Sequence, residues 1–163
     1  MRKTLFFTFI FSLLFGDTRV VINNSSPNVE LLSSDQKHIV LEFSGGDFVK
    51  SPITIQGKEF FHLNFQGEPT LLKKGNPQLP KMVRSIVIPD NGKMQLNILE
   101  SEYTEYEIAV APSKGSVPRN INLKSIPYIF SDVYKTNNFY PHSIAELGDP
   151  YIMRDIRRIT VTA

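Results

Sequence analysis

The 163-residue sequence contains no cysteine. That absence excludes disulfide staples, thiolate metal sites, a thiol nucleophile and a lipidated N-terminal cysteine together. Histidine is scarce as well. His38, His62 and His142 stand far apart, without a second ligand at the two-, three- or four-residue offset of zinc sites, so they read as packed or surface side chains. The Gly-x-Ser-x-Gly elbow, the Asp-x-Asp-x-Asp-Gly calcium loop and the glycine-rich phosphate loop are all missing. Ser44-Gly45-Gly46-Asp47 reads as a tight strand-to-strand turn rather than an oxyanion loop. Glu100, Glu102, Glu105 and Glu107 crowd around one turn, and they read as the outward positions of a solvated hairpin rather than as paired glycosidase carboxylates. The chain offers no self-contained active site and implies no cofactor.

Charge of one sign is lacking too. Lys and Arg number 18 against 16 Asp and Glu, and Arg2 and Lys3 are the only charges in the first sixteen residues, so the remainder is balanced. A balanced remainder without a basic stripe gives no support to nucleic-acid binding. Those first sixteen residues join a cationic start, an apolar run over Leu5–Phe15 and the small residue Gly16. This is the pattern of a secretory signal peptide. The run falls short of the roughly 20 apolar residues that span a bilayer, so the reading is export without a stable membrane anchor. The expected location is secreted, extracellular or on the cell surface, by way of the periplasm. Asn23-Asn24-Ser25-Ser26 also matches glycosylation sequons, which matter only in a eukaryotic secretory route.

Beyond residue 17 the pattern is short runs rich in Val, Ile, Phe and Tyr, divided by turn residues about every ten positions, as in an all-β domain. The expected strands are Thr18–Asn23, Val29–Leu32, His38–Phe43, Ile53–Ile55, Glu59–Phe65, Arg84–Ile88, Met94–Leu99, Glu105–Ala111, Tyr128–Phe130 and Tyr151–Thr162. Gln56-Gly57-Lys58 predicts one hairpin. Asn91-Gly92 predicts another between Ile86–Ile88 and Met94–Ile98, because both turn residues tolerate the positive φ of a type I′ turn. Ser143–Leu147 holds the one helix signal, a single turn capped by Ser143 with Glu146 at the third position. The expected fold is all-β, an antiparallel β-sandwich of jelly-roll-like kind, with residues 1–16 as signal peptide and 17–163 as one domain. Tyr151–Ala163 is strand-like to its last residue, which predicts a domain truncated at its C-terminus. Pro112–Asn122 and Lys135–His142 are the long stretches without a clear strand, where functional loops are found.

The remaining candidates for chemistry are basic residues in loops. Lys73-Lys74 precedes Gly75-Asn76-Pro77, Lys114 and Arg119 lie in the long stretch after Ala111-Pro112, and Arg154, Arg157 and Arg158 cluster near the end. Three segments follow one another in a recognisable order: Gly75-Asn76-Pro77-Gln78-Leu79-Pro80 with Ile86-Val87-Ile88-Pro89, then Ala111-Pro112-Ser113-Lys114-Gly115, then Gly148-Asp149-Pro150-Tyr151-Ile152-Met153-Arg154-Asp155-Ile156-Arg157. With the export signal, this order resembles the N-terminal propeptide of gingipain-type cysteine peptidases, secreted enzymes of Bacteroidetes-like bacteria that cut after Arg or Lys. The resemblance covers roughly residues 18 to 163.

It implies a β-sandwich prodomain that keeps its peptidase latent and assists its folding, with the cognate cysteine peptidase catalytic domain as partner and no catalytic residues in this chain. An inhibitor of an Arg- or Lys-specific peptidase must place a basic side chain in an acidic pocket, where a guanidinium gains bidentate hydrogen bonds. Arg119, in a loop after Pro118, is the first candidate for that role and Lys114 the second. Arg157 and Arg158 are the processing candidates, provided they are exposed. A similar N-terminal region occurs in a surface sortase of the type IX secretion machinery, and the residues do not separate the two. The reading from another class is an exported binding or adhesion module with Phe60, Phe61 or Tyr140 as a stacking platform.

Overall fold

The structure is a computed structural model that describes residues 26–163. The expected signal peptide at 1–16, the strand expected at Thr18–Asn23 and all of the Asn-Asn-Ser-Ser sequon but its last serine lie outside the described residues. Within them the regular secondary structure is nearly all antiparallel strand, with two short 3-10 turns at Leu123–Ser125 and Asp132–Lys135. The all-β expectation is met, and the strands are distributed over three small sheets.

Among the described residues strand β1 (Asn28–Ser34) pairs with β2 (Ile39–Ser44) alone; a bulge lies between Leu31 and Ser33, and both Leu31 and Leu32 are more than half exposed. Strand β3 (Phe48–Ile55) pairs with β4 (Lys58–Phe65) in full register from Phe48 opposite Phe65 to Ile55 opposite Lys58. Their connection is the expected hairpin, turned by Gln56 at φ 50° and Gly57 at φ 76°. Two successive positive φ values make the type I′ twist that matches flanking strands. Phe61 of β4 also donates to the Ala109 carbonyl at 2.8 Å and accepts from the Ala111 N–H at 2.8 Å, so residues 109–111 add a short parallel rail.

The third sheet is centred on the end of the chain. Strand β8 (Ile156–Thr162) pairs with β5 (Val83–Val87) on one side and with β6 (Glu146–Leu147) and β7 (Tyr151–Met153) on the other. Backbone bonds between Met82 and Ala163, at 2.7 and 3.0 Å, and from the Ile88 N–H to the Arg157 carbonyl at 3.0 Å lengthen the β5–β8 ladder at both ends. The core is supplied by Ile55 and Leu63 from the β3–β4 sheet, by Met82, Ile88, Ile159 and Val161 along the β5–β8 ladder, and by Ala111.

Four local expectations are corrected. The hairpin at Asn91-Gly92 does not form, since neither residue has the positive φ a type I′ turn requires and β5 takes β8 as its partner. Instead the Arg157 guanidinium donates to the carbonyls of Pro89 at 2.6 Å and Gly92 at 2.9 Å and fixes the turn there. Met94–Leu99 and Tyr128–Phe130 form no ladder strand, and of Glu105–Ala111 only the rail beside Phe61 is paired. Tyr151–Thr162 is two strands, folded back at Arg154 and Asp155 with φ of 49° and 64°. Finally, Ser143 does reach Glu146, its hydroxyl donating to the carboxylate at 3.1 Å, but Glu146–Leu147 is strand β6 rather than helix.

Candidate inhibitory loop

Two of the segments singled out in the sequence bind one another. Gly75 donates its N–H to the Ser113 carbonyl at 2.8 Å, Ser113 donates back to the Asn76 carbonyl at 2.8 Å, and Gln78 donates to the Ala111 carbonyl at 3.0 Å. Asn76, Ala111, Pro112 and Ser113 are buried in this clasp. Buried backbone polar groups need partners, and here each segment supplies those of the other. The Gly75 carbonyl also accepts from the Ser131 N–H at 2.9 Å. One residue therefore ties down both Ser113, where a long loop leaves the core, and Ser131, where it has returned.

Arg119 stands between these two legs. It is exposed, at the first central position of a turn closed by the Ile121 N–H donating to the Pro118 carbonyl at 3.0 Å. Next in the chain, the Asn122 side chain accepts from the Lys124 N–H at 2.9 Å and caps the 3-10 turn at Leu123–Ser125. The returning leg then lies along β4. Phe130 packs on Phe60 with centroids 5.3 Å apart and Tyr128 on His62 at 6.2 Å, so alternate residues meet in antiparallel order. Tyr134 stacks edge-on against Phe130 and donates its hydroxyl to the Val110 carbonyl at 2.9 Å. Burial, with a smaller effect from Tyr140, pushes the Tyr134 hydroxyl above its ordinary pKa, which keeps it a neutral donor.

Lys114 is placed differently from Arg119. Its ammonium donates to the Leu123 carbonyl at 2.7 Å and sits 4.2 Å from the centroid of the Tyr128 ring. The side chain expected as the second pocket residue is thus turned back across the base of the loop, where a carbonyl and an aromatic face hold it. Tyr128 in turn hydrogen-bonds His62 Nε2 at 3.1 Å. Burial first, and then the Lys114 charge, lower the pKa of His62 from 6.5, while burial raises that of Tyr128.

The other expected site residues lie elsewhere. Arg157 and Arg158 are half-buried in β8, where Arg158 is paired with Val87 on one side and Tyr151 on the other. Both fall short of the exposure that a processing site asks for, because the extended backbone of β8 is hydrogen-bonded to a neighbour on either side, and cleavage would need it released from both. Phe60 is stacked on Phe130, and Phe61 lies under the Lys50 ammonium at 3.8 Å, so neither is a free platform. Sequence reasoning missed His62 and Tyr128 as neighbours of the loop. Their spacing of sixty-six residues carries no local signal.

Comparisons with known proteins place the chain in a family. The Propeptide_C25 family model matches residues 21–163. The chain belongs to the C25 propeptide family. It is 35% identical over 135 residues to gingipain R1 of Porphyromonas gingivalis, covering 81% of this chain and 14% of that protein. Gingipain R2 of the same species is 30% identical over 133 residues, covering 81% of this chain and 18% of that protein. The chain therefore spans less than a fifth of these curated relatives. Among solved structures, the complex of Porphyromonas gingivalis RgpB pro- and mature domains matches with a TM-score of 0.77 at 29% identity, over 85% of this chain and 72% of that one. A structure described as giving insight into the zymogenic latency of gingipain K matches with a TM-score of 0.73 at 14% identity, over 90% of this chain and 85% of that one, and so shows the shared fold.

Proposed function

We propose that this chain is the latency domain of a secreted gingipain-type cysteine peptidase, and that Arg119 is the side chain it offers to the peptidase's specificity pocket. The observation that carries the reading is the exposed Arg119 on a loop whose two legs meet at Gly75. A loop anchored at both ends loses little freedom when it binds, so more of the contact energy appears as affinity. The guanidinium brings a planar fork of donors that matches a buried carboxylate. The RgpB relative, whose pro- and mature domains were solved as a complex, supports a catalytic domain as partner. Export by the signal peptide at 1–16 and assistance in folding the peptidase belong to the same proposal.

The test is inhibition of the mature RgpB domain by residues 17–163, beside Arg119→Ala. The unmutated chain inhibits, and Arg119→Ala weakens it by about 2–4 kcal/mol, the range of a buried hot-spot arginine. Absence of inhibition by the unmutated chain sinks the latency role, and equal potency of the variant sinks the assignment to Arg119.

A further inference from the structure

We propose that Lys114 is the positioning residue of the Arg119 loop and that His62 makes its hold pH-dependent, releasing the loop in acid. The inference rests on the reading of Arg119 as the pocket residue. It concerns how that loop is kept ready.

The device is a short stack that joins the loop to the sheet. At its outer end the Lys114 ammonium reaches across the loop, from the leaving leg to the Leu123 carbonyl nine residues on, at 2.7 Å. Beneath the ammonium is the face of Tyr128, 4.2 Å to the centroid. At the inner end the Tyr128 hydroxyl meets His62 Nε2 at 3.1 Å, with the two rings tilted by 41°. Leu123, Lys114, Tyr128 and His62 thus form a chain in which each member touches the next. The span between Lys114 and Leu123 contains the whole turn that presents Arg119.

This stack carries one charge when His62 is neutral and two when it is protonated. Bringing a second cation against the same aromatic ring, in a half-buried place, adds like-charge repulsion to the cost of desolvation. Among the described residues the groups that bear on His62 are few. Lys114 acts on it from the leaving leg and Tyr128 from the returning leg, and on β3 its cross-strand neighbour is the uncharged Ser51. The easiest relief is for the Lys114 chain to swing into water, which gives up the bond to Leu123 and frees the loop.

The sign follows from the direction of the His62 shift. A base whose folded pKa is depressed contributes its full stability above the ordinary value of 6.5 and loses it as the pH falls from there through the folded value. The loop is therefore held at neutral pH and loosened in mildly acidic medium. Losing a charge-assisted hydrogen bond of this kind opens a segment by about tenfold.

The experiment reads the full chain without any peptidase present. Amide exchange of Gly115, Ile121 and Lys124, whose N–H groups are hydrogen-bonded within the loop, corrected for the intrinsic pH dependence of exchange, is measured at about pH 7.5 and about pH 5.5, on either side of the imidazole range. The wild-type loop is expected to lose about tenfold in protection at the lower pH. Lys114→Met opens it at both values, Lys114→Arg restores the hold because a guanidinium can also bond the carbonyl and stack on the ring, and His62→Gln keeps it closed at both. Equal wild-type protection at the two pH values overturns the pH dependence. Lys114→Met indistinguishable from wild type overturns the positioning role, and a Lys114 that acted only inside a peptidase pocket would give that result. Affinity of Arg119→Ala for the mature RgpB domain, measured alongside, reports separately on the reading beneath. If it is unchanged, the pocket role falls and the exchange result still decides the hold on the loop.

Discussion

Replacing Gly75 with alanine strikes the residue that ties both legs of the Arg119 loop. Gly75 has φ of 82°, a left-handed conformation in which an L side chain costs about 1–2 kcal/mol. The added Cβ would sit 3.4 Å from the Ser131 nitrogen and 3.5 Å from the Ile129 carbonyl oxygen. These are ordinary contacts, so backbone conformation rather than collision sets the loss. Alanine also removes freedom from the unfolded chain, which offsets about 0.4–1 kcal/mol. The expected net loss is about 1 kcal/mol, or about 3–6 °C in Tm for a chain of this size. Gly45 is the internal control: its φ lies outside the left-handed range and an added Cβ meets only the Phe65 ring edge at 3.7 Å. Gly45→Ala is expected to be neutral or slightly stabilising. Urea denaturation of both variants beside the parent measures the difference, and a Gly75→Ala chain as stable as Gly45→Ala would refute the reasoning.

Asp155→Gly relieves a left-handed φ of 64° in the β7–β8 turn and is expected to raise stability by up to about 1 kcal/mol; a loss in Tm would contradict the turn assignment. Ile159 is 3% exposed at the centre of β8, and Ile159→Ala should cost about 2–5 kcal/mol in urea denaturation, with a loss under about 1 kcal/mol arguing against its place in the core. Arg84 grips Glu68 with two hydrogen bonds, at 2.7 and 3.2 Å, and holds the carboxyl below its ordinary value of 4.5. That contribution is present above pH 4.5 and is lost as the pH falls through the depressed folded value. Because Arg84 is 37% exposed and water screens the pair, Arg84→Met should cost only about 1 kcal/mol at neutral pH. It should also flatten the acid limb of the stability profile, and an unchanged limb would dismiss the pair as its source.

Local chemistry was legible where the deciding residues are neighbours in the chain. Gln56-Gly57 gave its hairpin because two adjacent residues could take positive φ. Asn91-Gly92 offered the same chemistry and failed, because Val83–Val87 found a partner some seventy residues away in Arg158–Thr162 and Arg157 locked the turn. Arg119 was legible as an exposed loop arginine from Pro118 before it and Asn120 after it. Lys114, five residues earlier in equally loop-like surroundings, was not distinguishable from it, since what turns its ammonium inward is the Tyr128 ring and the Leu123 carbonyl.

By itself, then, the sequence determined the all-β class, the absence of thiol chemistry and the order of motifs that places the chain in its family. Those depend on composition and on contacts between near neighbours. Only the tertiary structure decided that Gly75-Asn76-Pro77 and Ala111-Pro112-Ser113 are one clasp, that the clasp holds both legs of the Arg119 loop, and that Arg157 and Arg158 are locked inside a sheet. Hydrogen bonds between segments tens of residues apart leave no period or spacing in the chain. They exist only once burial has brought the two segments together.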